Sequence, residues 1–482
     1  MAPAEISCCI SCCTVLAACY GTCIDSLSMN KRPVATNYCI WCLVVGKIFL
    51  TTTIATRLSS AGQEFKMNYV IIGNGIAGVS AAESIRQIDP EGSMTIVGDE
   101  TEMPYYRPMI SLVLEGAIPS EKLPVRDQNF YDELRIQPLL GARVTDIDVK
   151  NKSLTVGDGK PIHFDRLLIA SGADPRPVKA EGLKLKNIFY MRTEAHVHQI
   201  VKALPSVNQV LVLGGGLVGF KAAYALLRRG LRVTMVEILG IPLPLHVDDQ
   251  AGNLILDELV AHGLEVKLAT EVVGFSGDGQ VKAASLSDGT EIPCDLAIVG
   301  IGVLPALSFV PRDKIQVDLG ILVNNYMQTN IPQIYAAGDV AELVDIARNS
   351  PWINAIWPEA VNQGRLAGMN MAGRKVAYPG SLGRNTIRLF NMDIMAGGLV
   401  NPPSDRLHDI VTSFDQREKT YRKLVFRNDT LVGMVMVNKI EQGGVLLSLV
   451  RNRTPVMIPK ENLLDRSFNF KQLLSHRARI MS

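Results

Sequence analysis

The body of this sequence is almost without cysteine. Of nine cysteines, eight lie within the first 42 residues, and only Cys294 lies beyond them. A chain so arranged has no disulfide scaffold in its main part and suits a reducing compartment, so a cytoplasmic location is expected. It has no strong charge of either sign: the formal net charge is +2, with no long single-sign run. A dedicated nucleic-acid surface would need a concentrated basic patch, so no nucleic-acid partner is expected. The seven histidines are dispersed, and neither a Ser-His-Asp set nor a metal-ligand cluster emerges from them. No repeat of solenoid length is present.

Residues 1–66 differ in composition from the remainder. Cys9 and Cys12, with Cys39 and Cys42, form two C-x-x-C pairs that could supply four thiolates to a metal. Residues 38–50 are apolar except for Lys47, but fall short of the roughly 20 residues a spanning helix needs. No membrane association is expected. The favoured reading is that the segment precedes the natural start. Met67-Asn68-Tyr69-Val70-Ile71-Ile72-Gly73 is how a dinucleotide-binding domain opens, and Gly62-Gln63-Glu64 can be encoded by a purine-rich stretch just upstream.

One pattern occurs twice. The β-rich run Asn68-Tyr69-Val70-Ile71-Ile72 leads into Gly73-Asn74-Gly75-Ile76-Ala77-Gly78 and then helix-compatible residues. In G-x-G-x-x-G between a strand and a helix, the first glycine permits the tight turn and the second lets a pyrophosphate approach. The third allows close packing, and the helix N-terminus offers unpaired N–H groups. A ribose-binding acid is expected after the next strand; Asp99 and Glu100 both qualify, and the sequence does not choose between them.

The second copy is Gly214-Gly215-Gly216-Leu217-Val218-Gly219, preceded by Gln209-Val210-Leu211-Val212-Leu213. Gly230 is placed to end its helix. The next strand finishes in Glu237, where the ribose acid belongs. A carboxylate there accepts from a 2′-hydroxyl and repels a 2′-phosphate, which favours NAD(H) over NADP(H). The loops lie too far apart for one βαβ unit, so two nucleotides are expected.

Further motifs carry a family resemblance. Leu167-Leu168-Ile169-Ala170-Ser171-Gly172-Ala173-Asp174-Pro175 is similar to an A-T-G-x-x-P segment, and Ala297-Ile298-Val299-Gly300-Ile301-Gly302-Val303-Leu304-Pro305 to its counterpart. Ile334-Tyr335-Ala336-Ala337-Gly338-Asp339 resembles a second FAD motif, and Tyr105-Tyr106-Arg107-Pro108-Met109-Ile110-Ser111 a Y-x-R-P-x-L-S segment. In this order they resemble the pyridine nucleotide–disulfide oxidoreductase superfamily from Met67 onward, in particular its ferredoxin and rubredoxin reductases and the flavin portion of nitrite reductase large subunits. The resemblance implies an α/β fold: two Rossmann-like three-layer nucleotide-binding domains, for FAD and NAD, plus a small C-terminal α+β domain. The expected division is an FAD-binding part at 67–185, an NAD-binding domain at 186–306, the FAD fold resumed at 307–382, and a C-terminal interface or dimerisation-like domain at 383–482. Its hairpin signs are strand-like 421–426, a turn at Asn428-Asp429, and strand-like 431–437.

The FAD residues it implies are Gly73, Gly75, Ile76, Ala77, Gly78, Asp99, Glu100, Arg107, Ala170, Ser171, Gly172, Gly338, Asp339 and Trp357. Those for NAD are Gly214, Gly216, Val218, Gly219, Glu237 and Gly302. Trp357-Pro358-Glu359 opens a helix, with proline suited to its first turn, whose N-terminal partial positive charge would face the flavin.

Two departures narrow the chemistry. No cysteine pair follows Met67, and Pro108-Met109-Ile110-Ser111 offers no thiol, so a dithiol relay is not expected and Cys294 reads as a core residue. Relatives carry Gly-x-Glu after the second loop, the glutamate approaching the nicotinamide; here it is Gly219-Phe220-Lys221. A cation there suits an oxidised nicotinamide poorly, and Lys221 is expected to point to solvent. The implied activity is hydride transfer from NADH to FAD, then electrons straight to a small redox carrier protein of the rubredoxin or ferredoxin type, or to a small-molecule acceptor. The alternatives are an NADH oxidase yielding hydrogen peroxide and a non-enzymatic flavin sensor. A homodimer is compatible with all three.

Overall fold

The computed structural model describes residues 66–473 apart from Asp405. The cysteine pairs and the apolar stretch at 38–50 fall outside the described residues.

Two parallel sheets organise the chain. The first has five strands in the order Ile334–Ala336, Arg166–Ile169, Asn68–Ile72, Ser93–Val97 and Ile136–Leu139. All of its pairings are parallel. Its central strands read as continuous apolar runs because both faces are covered. Tyr69 and Ile71 pack into one cluster with the helix Ile76–Ile88. Val70 and Ile72 pack on the other face against Val144, Ile147 and Leu154 of a small antiparallel sheet.

The helix Trp357–Met371 lies directly on the helix Ile76–Ile88. A Cβ at Gly364 would stand 2.1 Å from the Ala77 carbonyl oxygen, and one at Gly368 would stand 2.3 Å from that of Ala81. Four residues apart, the two glycines share a helix face. That contact brings the Trp357 end of one helix to the glycine-loop end of the other.

The second sheet repeats the plan with Glu265–Lys267, Arg232–Val236, Gln209–Leu213, Leu296–Val299 and Ile188–Tyr190, again all parallel. The helix Leu217–Arg228 follows its central strand, and Gly230, at φ +81°, turns the chain after the helix end. The linking segments meet: Ala173–Pro175 pairs antiparallel with Val303–Pro305. The strand Ile334–Ala336 then returns to the first sheet, beside Arg166–Ile169.

The remaining sheet is antiparallel, in the order Arg384–Leu389, Met392–Gly398, Thr430–Val437, Thr420–Arg427 and His408–Asp415. The helix Gly443–Asn452 packs against it. The expected hairpin is there, with Asn428 in the left-handed conformation at φ +54°.

Candidate functional site

The first glycine loop is built by close backbone approach. Gly73 has φ +111°, and a Cβ there would sit 2.1 Å from the Ala170 carbonyl oxygen. A Cβ at Gly78 would meet the Gly73 carbonyl oxygen at 2.1 Å, whereas one at Gly75 meets nothing within 4 Å. The outer two glycines therefore serve packing, and the middle one faces open space. The helix starting at Ile76 has no side-chain cap and no acid in its first turn. Its unpaired N–H groups form a ready anion site. The second loop repeats this geometry: a Cβ at Gly219 would meet the Gly214 carbonyl at 1.9 Å, and one at Gly216 meets nothing within 4 Å.

Beside the first loop lies a cavity of about 590 Å³. Gly73, Gly75, Ile76 and Ala77 form part of its wall, and so do Asp99, Glu100 and Arg107. Ala170, Ser171 and Gly172 contribute from the end of a central strand. Gly338, Asp339 and Trp357 complete the set. Of the first group of sequence-predicted residues only Gly78 stands behind the wall, packed under Gly73. Of the second group Val218 reaches the wall, while Gly214, Gly216, Gly219, Glu237 and Gly302 do not. Those residues surround the second loop and the link between halves. Glu237, only 6% exposed, accepts N–H groups from Gly215 at 2.6 Å and Leu239 at 2.9 Å, and the Gly302 carbonyl accepts from the Arg176 N–H at 2.9 Å.

The two adjacent acids have different surroundings. Glu100 accepts the Tyr105 hydroxyl at 2.6 Å and forms an ion pair with Arg107. Asp99 lines the cavity with no side-chain hydrogen bond or ion pair among the described residues. Arg107 also donates to the Arg192 carbonyl at 2.9 Å. Burial works against the Arg107 cation, but Tyr105 and Glu100 outweigh it, so its pKa is raised.

Three wall residues, Arg192, His196 and Arg384, escaped the sequence reading. Arg192 pairs with Asp339 at 2.9 Å and donates through Nε to the Ala173 carbonyl at 2.9 Å. His196 accepts the Arg192 N–H at 3.3 Å through Nδ1, and burial lowers its pKa. Arg384 pairs at 2.5 Å with Glu359, which is 1% exposed and also takes the Tyr378 hydroxyl. Tyr106, 40% exposed, stacks on Trp357 with ring centroids 5.3 Å apart. No local motif announces Arg192, His196 or Arg384; Trp357 sits at a recognisable helix start, with Pro358 in its first turn.

The expectation for Lys221 is overturned. It lines the cavity together with Leu217 and Val218. Leu217 and Val218 stand four and three residues before Lys221, the spacings that place side chains next to one another on a helix. The other side of this helix is buried, with Phe220, Ala222, Ala223, Ala225 and Leu226 all inaccessible. Lys221 is half-buried, and burial lowers its pKa. Cys294 is a core residue as expected: it is 2% exposed, and burial, then the Asp295 charge, push its thiol up to about 12. No cysteine among the described residues lines the cavity.

The arrangement suits an extended dinucleotide: an uncapped helix start for its pyrophosphate, open space at Gly75, and an unengaged carboxylate at Asp99. A family model described as pyridine nucleotide-disulphide oxidoreductase matches residues 67–364, and one described as the rubredoxin NAD+ reductase C-terminal domain matches 384–454. A rubredoxin-NAD(+) reductase of Pseudomonas putida is 31% identical over 387 residues, 79% of this chain and 98% of that protein. The NAD(P)H nitrite reductase of Bacillus subtilis is 28% identical over 393 residues, 81% of this chain but only 48% of that longer protein. Among solved structures, the covalent putidaredoxin reductase–putidaredoxin complex aligns with a TM-score of 0.77 at 27% identity, over 85% of this chain and 98% of that one.

Proposed function

Because the chain belongs to the pyridine nucleotide-disulphide oxidoreductase family, and so is an FAD-dependent NAD(P)H oxidoreductase, we propose that it takes its electrons from NADH and hands them to a small redox carrier protein of the rubredoxin or ferredoxin type. The observation that carries this reading is the cavity wall, which joins the first glycine loop to the helix of the second and, among the described residues, contains no cysteine. A dithiol relay needs two thiols beside the cofactor. The one described cysteine is buried elsewhere, which supports direct transfer to an acceptor.

Bound FAD supplies a hydride acceptor that can release electrons singly. The protein's part is to hold and tune it. The first loop and the uncapped helix start take the pyrophosphate. Asp99, unengaged by protein, takes the ribose hydroxyls, while Glu100 holds Arg107 in place. Asp339, oriented by Arg192, stands with Gly338 where the second FAD motif belongs. The Trp357 helix aims its N-terminal partial charge into the cavity. For the nicotinamide nucleotide, Gly214, Gly216, Val218 and Gly219 cradle phosphate, Gly302 lines the linker, and Glu237 selects NADH over NADPH.

The domain boundaries read from the sequence, 67–185, 186–306, 307–382 and 383–482, go with this division of labour. We further propose a homodimer joined through the last region and a cytoplasmic location; among the described residues no helix is long and apolar enough to cross a membrane. The test is anaerobic mixing with NADH, followed by a panel of acceptors. Rapid bleaching of the flavin band and faster reoxidation by rubredoxin or ferredoxin than by oxygen is the expected result. A flavin that NADH leaves oxidised, or one that reacts with oxygen alone, would sink the proposal.

A further inference from the structure

The cavity wall carries three arginines and one lysine. Each arginine is balanced: Arg107 by Glu100, Arg192 by Asp339, and Arg384 by Glu359. Lys221 alone of these four cations has no carboxylate partner among the described residues. A paired cation has its field largely cancelled at a distance by the partner, whereas an unpaired one in a partly desolvated cavity acts as a net charge on whatever occupies the space.

We propose that Lys221 tunes the charge of the flavin site, favouring the reduced flavin and disfavouring oxidised nicotinamide beside it. The inference rests on the FAD and NADH reading above. Hydride transfer takes one hydride from NADH and needs no additional proton. It leaves one positive charge on the nicotinamide and one negative charge on the flavin. A fixed cation in the common wall stabilises the second product and repels the first. Lys221 would therefore raise the flavin potential and speed NAD+ departure, and the charge that looks ill-matched to the nicotinamide would drive the transfer forward.

Sulfite titration of the flavin-bound protein tests this without turnover, because sulfite addition also leaves negative charge on the flavin. Lys221→Met is expected to weaken sulfite binding about tenfold or more, the effect of losing one unit charge at roughly 10 Å in an intermediate dielectric. Lys221→Arg is expected to stay within about threefold of the parent. NAD+ should bind Lys221→Met about threefold or more tightly, by the reverse of the same repulsion. Sulfite affinity of Lys221→Met within about twofold of the parent, the scatter expected of a neutral change, would overturn the proposal. Flavin content from the visible spectrum separates loss of folding from loss of tuning. Should the methionine variant lose flavin, Lys221→Gln takes its place in the same titration, with the same limits. If the parent forms no adduct, dye-equilibrated midpoint potentials decide: a lower potential in the variant supports the proposal and an equal one refutes it. A protein without flavin, or one that NADH does not reduce, would instead refute the function on which the inference rests.

Discussion

Arg192 and Asp339, 147 positions apart, meet at 2.9 Å in the cavity wall, and the same guanidinium reaches the Ala173 carbonyl through Nε. Arg192 follows the edge strand of the second sheet, and Asp339 follows the edge strand of the first. One side chain thus ties the two nucleotide-binding halves to the linker between them. Both partners are mostly buried, at 19% and 17% side-chain exposure. Arg192→Leu leaves Asp339 without its cation, which costs about 1–3 kcal/mol. The expected result is a lower Tm and faster flavin loss on dialysis; a variant that keeps both unchanged would show the pair to be incidental.

The glycines of the first loop should separate folding from binding. Gly73→Ala forces a Cβ to within 2.1 Å of the Ala170 carbonyl at a positive φ, so soluble, folded protein should be scarce. At Gly75 an added Cβ meets no protein atom within 4 Å and the backbone there is extended, so Gly75→Val should fold with a Tm close to the parent's. Its branched side chain occupies the space assigned to pyrophosphate, so bound flavin should fall below about a tenth, as expected where close backbone approach is lost. Circular dichroism and the visible spectrum, read together, distinguish the two.

Glu237 should set coenzyme preference through its charge. Glu237→Gln keeps the shape and one acceptor for the Gly215 and Leu239 N–H groups while removing the repulsion of a 2′-phosphate. The ratio of kcat/KM for NADPH to that for NADH is expected to rise about tenfold, the worth of one pKa-unit-sized interaction. An unchanged ratio would assign coenzyme choice elsewhere.

Glu359 is a carboxylate held in the interior by Arg384 and Tyr378. Arg384→Leu strands that buried charge and should cost about 3–5 kcal/mol, a loss readable as a lower denaturant midpoint. Cys294→Ala provides the contrast. With its thiol buried and high in pKa, turnover should stay within about twofold, since it touches no cavity wall; a larger fall would reinstate thiol chemistry.

The glycine loops, the acid after each second strand and the C-terminal hairpin were legible because each is a local pattern. A turn that admits only glycine and a helix that starts just after it are written in consecutive residues. That Glu100 is engaged and Asp99 is not was not legible, because it depends on Tyr105 and Arg107 folding back onto one of the two. The Arg192–Asp339 and Arg384–Glu359 pairs were invisible for the same reason, since no spacing rule reaches across so many residues. For Lys221 the sequence reading failed outright: the order Gly219-Phe220-Lys221 does not say which face of the helix is buried, and so which face is left for the cavity.

The sequence alone determined that two nucleotides bind and that FAD is one of them, since these motifs are written in consecutive residues. Only the tertiary structure decided how the cavity is charged. Charge balance depends on which groups meet: Arg192 and Arg384 found carboxylates through long-range packing, Arg107 found one seven residues away, and Lys221 found none among the described residues.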